Sequence, residues 1–199
     1  MKKDFVYLAS ASPRRSELLR QIGVPFQARP AAIAEEPLER ELPEAYVVRL
    51  AAAKAETIWA AAVGDSRPVL AADTAVVLDR ELLGKPETEA EAMRMLERLS
   101  GRSHRVLTAV ALRYAAGLET RLSESEVRFR ATTAAERLQY CRTGEPFDKA
   151  GGYGIQGHAA VFVQELRGSY SGVVGLPLSE TAALLARCGI DFWLTARAA

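Results

Sequence analysis

Residues 69–79 read VLAADTAVVLD, and the fold turns on how they are read. Asp73 and Thr74 apart, the run from Val69 to Leu78 is apolar, the pattern of a strand buried on both faces, and the strand is expected at 68–78. In an α/β protein that cover comes from helices. The flanking chain supplies them. Upstream, the pattern predicts a strand at 4–9, a helix at 13–22, a strand at 26–33 and a helix at 43–62. Downstream it predicts a helix at 88–99, then two β-type runs, 104–114 and 118–130, as a hairpin around Ala115-Ala116-Gly117. A short helix at 133–142, a glycine-rich loop, a strand at 160–166 and a last helix at 177–188 beginning at Pro177 follow. Early alternation and a later hairpin predict an α/β protein with a mixed sheet.

The bulk numbers narrow the partners. With 199 residues, 49% hydrophobic and 26% charged, the chain has the composition of an ordinary globular protein, expected as one domain over residues 1–199, single or two-lobed. A net charge of +1, with Lys and Arg spread along the chain, disfavours nucleic acid as a partner. No apolar run approaches a membrane span, and the N-terminus lacks the apolar core of a signal peptide. Cys141 and Cys188 form no CxxC and read as reduced thiols, so a cytoplasmic protein is expected. Two histidines, His104 and His158, without HExxH spacing argue against zinc. Any metal here is expected to be a hard ion, Mg²⁺ or Mn²⁺, held by carboxylates and phosphates.

Four places break their local pattern, and such places often mark function. Asp73 is a carboxylate inside an apolar strand, costly there unless a cation or hydrogen bonds offset it. It is either a structural residue in a bulge after a strand ending at Ala72, or, the weightier reading, a metal or catalytic carboxylate. Thr74 would point to the opposite face of a regular strand, joining Asp73 only if the strand bulges. Lys54 falls on the apolar stripe 46, 50, 54, 58 of its helix, either snorkelling to the stripe's edge or reaching into a cleft that holds anions. Lys85 lies between Gly84 and Pro86, after an expected hairpin turn at Asp79-Arg80. The loop EPFDKAGGYGIQGHAA at 145–160 contains a literal GxGxxG at Gly152, Gly154 and Gly157. A strand follows it where a dinucleotide site needs a helix, so that reading fails. Its polar residues Asp148, Lys149, Gln156 and His158 suit a pocket lining.

Residues 8–19, LASASPRRSELL, pose an electrostatic question. Ser12-Pro13 is a good helix start, yet Arg14 and Arg15 add positive charge to a helix end that is already positive. As a solvated pair they would mean little. As ligands of a polyanion, with the helix N–H groups, they would reverse the sign of the problem. Together with Lys54, Lys85 and Asp73 they point to a polyphosphate and a divalent metal.

These pieces resemble the Maf family of nucleoside triphosphate pyrophosphatases over nearly the whole chain. The resemblance is carried by SASPRRSELL at 10–19, Ile33 to Glu36, YVVRLAAAKA at 46–55, AADT at 71–74, GKP at 84–86, LSGRSH at 99–104, EPFDKAGGYGIQG at 145–157 and GSYSGVVGLPL at 168–178. It implies an inosine-triphosphatase-like fold (Maf/Ham1-type), with an elongated twisted mixed sheet, two α/β lobes and an active site in the cleft between them. It implies hydrolysis between the α and β phosphates to a nucleoside monophosphate and pyrophosphate. Carried over by position, Asp73 is the proton acceptor, and Glu35 and Asp73 are the carboxylates for a divalent metal cation. Ser10, Arg14, Arg15, Lys54 and Lys85 bind the triphosphate. Arg14, Thr74 and Gln156 match the positions that mark the dTTP and UTP subgroup. Ala34 stands where the family often has an acidic residue beside its glutamate. Whether Asp73 serves as general base or holds the metal stays open at this stage.

The resemblance also brings a house-cleaning role on canonical or modified pyrimidine nucleotides and a link to septum formation and cell-division arrest. The expected partner is a small-molecule nucleoside triphosphate, with a homodimer left open. Two other functions compete: a non-catalytic nucleotide-binding regulator of septum formation, which would not need Asp73, and a pyrophosphatase for inosine or modified purine nucleotides, which would differ only in its base contacts.

Overall fold

The computed structural model describes residues 5–62 and 64–193. In chain order its elements are β1 (Val6–Leu8), α1 (Pro13–Gln21), β2 (Phe26–Ala28), α2 (Pro43–Ala61), β3 (Val69–Leu78) and β4 (Glu81–Leu83). There follow α3 (Glu89–Leu99), β5 (Ser103–Tyr114), β6 (Gly117–Phe129), α4 (Ala134–Cys141), β7 (Val163–Arg167), α5 (Tyr170–Val174) and α6 (Leu178–Arg187). Three 3₁₀ turns, Glu145–Asp148, Ala150–Gly152 and His158–Phe162, make up most of the glycine-rich stretch before β7. No helix among the described residues is long and apolar enough to cross a membrane.

The strands form one seven-stranded sheet in the order β2-β1-β3-β5-β6-β7, with β4 also paired to β3. β1 runs parallel to β2 and β3, and the remaining pairs are antiparallel, so the sheet is mixed as expected. The register of β3 against β5 is unbroken from Val69 opposite Arg113 to Val77 opposite Arg105. Asp73 therefore sits in the middle of a regular ten-residue strand, and the alternative of a strand ending at Ala72 falls away.

Alternation along β3 sends Leu70 and Ala72 to one face, under Leu18 and Leu19 of α1 and Leu184 and Leu185 of α6. Val69, Ala71, Ala75 and Val77 go to the other, under Val47, Ala51, Ala55 and Ile58 of α2. Val76 and Leu78 join a third cluster with Leu96 and Leu99 of α3 and Phe129 and Tyr153. β3 thus runs from the packing around β1 and α1 into the packing around β4 and α3. On its edge away from β5, it pairs with β1 at Val69 and Leu70 and with β4 from Val76 onward. Between these stretches, among the described residues, no strand covers that edge. This gap opens a cleft beside β3.

Several elements differ from expectation for local reasons. The strand at 26–33 stops at Ala28, two residues before Pro30. Asp79 and Arg80 do make the hairpin turn, both with positive φ (53° and 72°), and it leads into β4, too short to show a period. The strand at 160–166 begins only at Val163, because a 3₁₀ turn at His158–Phe162 puts Ala159 and Phe162 together in the core. The five-residue α5 has no sequence-level period; the Ser169 hydroxyl caps it, accepting from the Gly172 N–H at 3.0 Å.

Candidate active site

The gap is occupied by a cleft of about 680 Å³. Arg14, Arg15, Glu35, Lys54, Asp73, Thr74, Lys85 and Gln156 all line it. Ser10 lies just behind Arg15, with its Oγ 3.2 Å from Arg15 Nη1. Every residue expected at the site is therefore brought to one place.

Asp73 points toward α2, where the stripe reading of Lys54 resolves. Lys54 is buried and reaches inward, its Nζ 2.7 Å from Asp73 Oδ1 and 2.6 Å from Glu35 Oε1. One ammonium thus bridges two carboxylates from distant parts of the chain. Burial pushes the Asp73 carboxyl up, and although Lys54 and Arg15 pull it down, burial prevails. For Glu35 the balance is opposite. Its burial raises the carboxyl, but Lys54, then Lys85 and Arg15, outweigh it and hold it below the usual range. The loop carrying Glu35 is tied to α2 by the Tyr46 hydroxyl, which donates to the Glu35 carbonyl at 2.8 Å. Glu36 takes another direction: its backbone carbonyl accepts from Arg49 Nη2 at 3.1 Å and the residue is exposed.

Thr74 points to the opposite face, as a regular strand requires, yet it lines the same cleft because the gap opens both faces of β3. Arg15 meets it there, with Nη2 3.2 Å from Thr74 Oγ1 and Nε donating to the Gly175 carbonyl at 2.8 Å. The guanidinium is thus pre-oriented. Arg14 is held more loosely, 3.7 Å from Asp148 in the glycine-rich loop. Ser12 takes the N-cap position of α1, but its hydroxyl makes no capping bond, and no acidic residue stands in the first turn. The helix end keeps its positive potential facing the cleft.

One contributor has no separate signal in the motif reading. Thr108 on β5 lies directly opposite Thr74, 1% exposed, with its Oγ1 3.0 Å from Thr74 Oγ1 and donating to the Gly172 carbonyl at 2.8 Å. Like Asp73, it is a polar residue inside an apolar strand, and that interruption was the available clue. Thr108→Val keeps the shape and removes the donor. It is expected to lower unfolding free energy by about 1–3 kcal/mol, the cost of a buried carbonyl left unpaired, with Thr108→Ser losing less; denaturant melts measure it. His104, from the 99–104 motif, is a core residue. It sits 2.7 Å from the Tyr153 hydroxyl, and burial pushes it down to about 4, so it is neutral at physiological pH.

The chemistry available is that of an anion site with its own carboxylates: four cations and a helix N-terminus around Asp73 and Glu35. Residues 5–188 match the family described as "Maf-like protein". A dTTP/UTP pyrophosphatase of Alkalilimnicola ehrlichii is 52% identical over 197 residues, covering 96% of each chain. One of Methylobacillus flagellatus is 50% identical over 185 residues, covering 93% of each. Among solved structures, a nucleoside-triphosphatase, or dITP/XTP pyrophosphatase, of Mycobacterium abscessus aligns at TM-score 0.44 and 16% identity, covering 92% of this chain and 94% of its own. The matched stretch includes every residue of the cleft described above, and the chain belongs to the Maf-like protein family.

Proposed function

We propose that the protein hydrolyses dTTP and UTP between the α and β phosphates, releasing the nucleoside monophosphate and pyrophosphate. The observation that carries this reading is the meeting, in one cleft, of Arg14, Arg15, Lys54 and Lys85 with the buried carboxylate Asp73. A triphosphate repels a nucleophile, so its charge has to be neutralised by groups already in place. Arg15, fixed by Thr74 and Gly175, needs little reorganisation to do so. Asp73, with its raised proton affinity, suits the removal of a proton from an attacking water better than an ordinary carboxylate would. Gln156 carries an amide donor and a carbonyl acceptor on the cleft wall, able to complement the O4 and N3–H of uracil or thymine.

The residues fit a divalent cation. Glu35 and Asp73 already converge on a single positive charge, Lys54 Nζ, at 2.6 and 2.7 Å. Among the described residues no three His, Cys, Asp or Glu side chains form a metal-binding group, so the other ligands would be phosphate oxygens and water, as Mg²⁺ commonly has. Glu35 and Asp73 would hold the ion, which when bound neutralises phosphate charge and acidifies water. The thiol of Cys141 is free and buried, as in reduced proteins, and we read the enzyme as cytoplasmic.

Pyrophosphate release from a panel of nucleoside triphosphates, with Mg²⁺, Mn²⁺ or EDTA, tests the reading. UTP and dTTP are expected to exceed GTP in kcat/KM by at least about 100-fold, since a mismatched base leaves polar groups of the pocket unpaired. EDTA is expected to abolish turnover. Comparable values for GTP and UTP, or release of inorganic phosphate instead, would overturn it. Tight UTP binding without turnover would mean a nucleotide-binding regulator.

A further inference from the structure

The GxGxxG of Gly152, Gly154 and Gly157 opens no α-helix, only the five-residue 3₁₀ turn at His158–Phe162, so phosphate cradling by a helix N-terminus does not explain its glycines. Packing explains two of them. A Cβ on Gly157 would come 2.2 Å from Oε2 and 2.4 Å from Oε1 of Glu145, and one on Gly154 would come 2.7 Å from Cε of Lys149. Gly157 has φ −102° and ψ −152°, a conformation open to any residue, so what a side chain there would have to displace is the Glu145 carboxylate. The two glycines bracket Gln156.

Glu145 is the centre of a compact set of bonds. Its Oε2 accepts from the His158 N–H at 2.8 Å, and its Oε1 accepts from the Tyr140 hydroxyl at 2.9 Å and the Ala159 N–H at 3.4 Å. Its backbone carbonyl accepts from Lys149 Nζ at 2.7 Å, which holds the second side chain under the loop. Tyr140 is itself fixed in the core, packed edge-on against Phe162 at 5.4 Å. Bonds from N–H groups to a carboxylate are among the stronger hydrogen bonds. This carboxylate therefore joins the rigid core to the backbone immediately after Gln156.

We propose that Glu145 is a positioning residue for base selection: its carboxylate clamps the backbone at 157–159 and thereby fixes Gln156 against the base. The inference rests on the reading of Gln156 as the group that meets the base. A polar side chain discriminates only when its donor and acceptor are held in place, so loosening the clamp admits the wrong bases along with the right one.

The test is kcat/KM for UTP and GTP in Glu145→Gln, Gly157→Ala, Tyr140→Phe and Gln156→Ala, with thermal melts of each. Glu145→Gln puts an amide donor among donors, and Gly157→Ala pushes on the carboxylate from the other side. Both are expected to reduce the UTP-over-GTP ratio at least about tenfold, through a higher KM for UTP with kcat within about threefold. Tyr140→Phe removes one donor and keeps the ring; it is expected to move the ratio in the same direction by less, and it carries the test if Glu145→Gln does not fold. A lowered melting temperature with an unchanged ratio would make Glu145 merely structural and overturn the proposal. If Gln156→Ala lowers the ratio while the Glu145 and Gly157 variants do not, the clamp fails and the base reading survives. If Gln156→Ala leaves the ratio at the wild-type value, the base reading itself fails.

Discussion

Asp73→Asn is expected to lower pyrophosphate release by at least about 100-fold, the scale of losing a general base, while leaving the apo protein as stable as before or more so. The two halves come from one observation. Burial raises the Asp73 carboxyl above its ordinary value, so the ionised form is the costly one in the fold. A carboxyl shifted this way stabilises the protein fully below its unfolded pKa and loses that contribution as pH rises through its folded pKa. At neutral pH the charge is a net cost, even with Lys54 at 2.7 Å, and asparagine removes it. Lys54 is not stranded, because Glu35 still lies 2.6 Å away. Thermal melts of both proteins should show a gap of zero or in favour of the variant at pH 7, shrinking as pH falls through the carboxylate range. Near wild-type turnover would remove Asp73 from the mechanism. A large loss of stability at pH 7 would make it a structural residue.

The broad architecture was legible because hydrophobic pattern is a local property. The buried strand at 69–78, the long helix over Lys54 and the hairpin at 104–130 each show their period within one stretch of chain. Asp73 and Lys54 stood out for the same reason, each a charge on an apolar surface. That they meet was not legible, since it depends on how α2 crosses the sheet. The gap beside β3 was hidden for a similar reason. It arises from β1 pairing with only Val69 and Leu70 and from the three-residue β4 beginning opposite Val76. Without it, Thr74 could be brought to Asp73 only by a bulge; with it, a regular strand offers both faces to one cleft. Glu35 had no local signal. It sits in irregular chain, and what directs it inward is a backbone carbonyl bonded to Tyr46, eleven residues on. The AVF of the expected strand at 160–166 has β-type composition, yet the core there takes Ala159 and Phe162 together, a spacing of three that a strand cannot provide.

The two arginines at the start of α1 are expected to separate when each is replaced by glutamine. Arg15 is bound to the protein on three sides, through Gly175 O at 2.8 Å and through Ser10 and Thr74 at 3.2 Å each. Arg15→Gln leaves a carbonyl without its donor, a cost of about 1–3 kcal/mol, partly offset by removing a charge that burial disfavours. Its apo melting temperature is expected to fall. Among the described residues Arg14 pairs with Asp148 at 3.7 Å, and Asp148 is largely exposed, so that pair contributes little. Arg14 also repels the helix end by a few tenths to about 1 kcal/mol, so Arg14→Gln is expected to melt at the wild-type temperature or slightly above it. Toward a non-hydrolysable UTP analogue the two variants should converge. A charge-assisted bond to phosphate contributes roughly 1.5–3 kcal/mol, so each is expected to raise Kd by about ten- to a hundredfold and to shrink the thermal shift that the analogue produces. Melts and calorimetry with and without the analogue measure both quantities on the same samples. Full ligand affinity in both variants would show that the arginines serve the fold alone, and the like charges at the helix start would then have no phosphate to answer to.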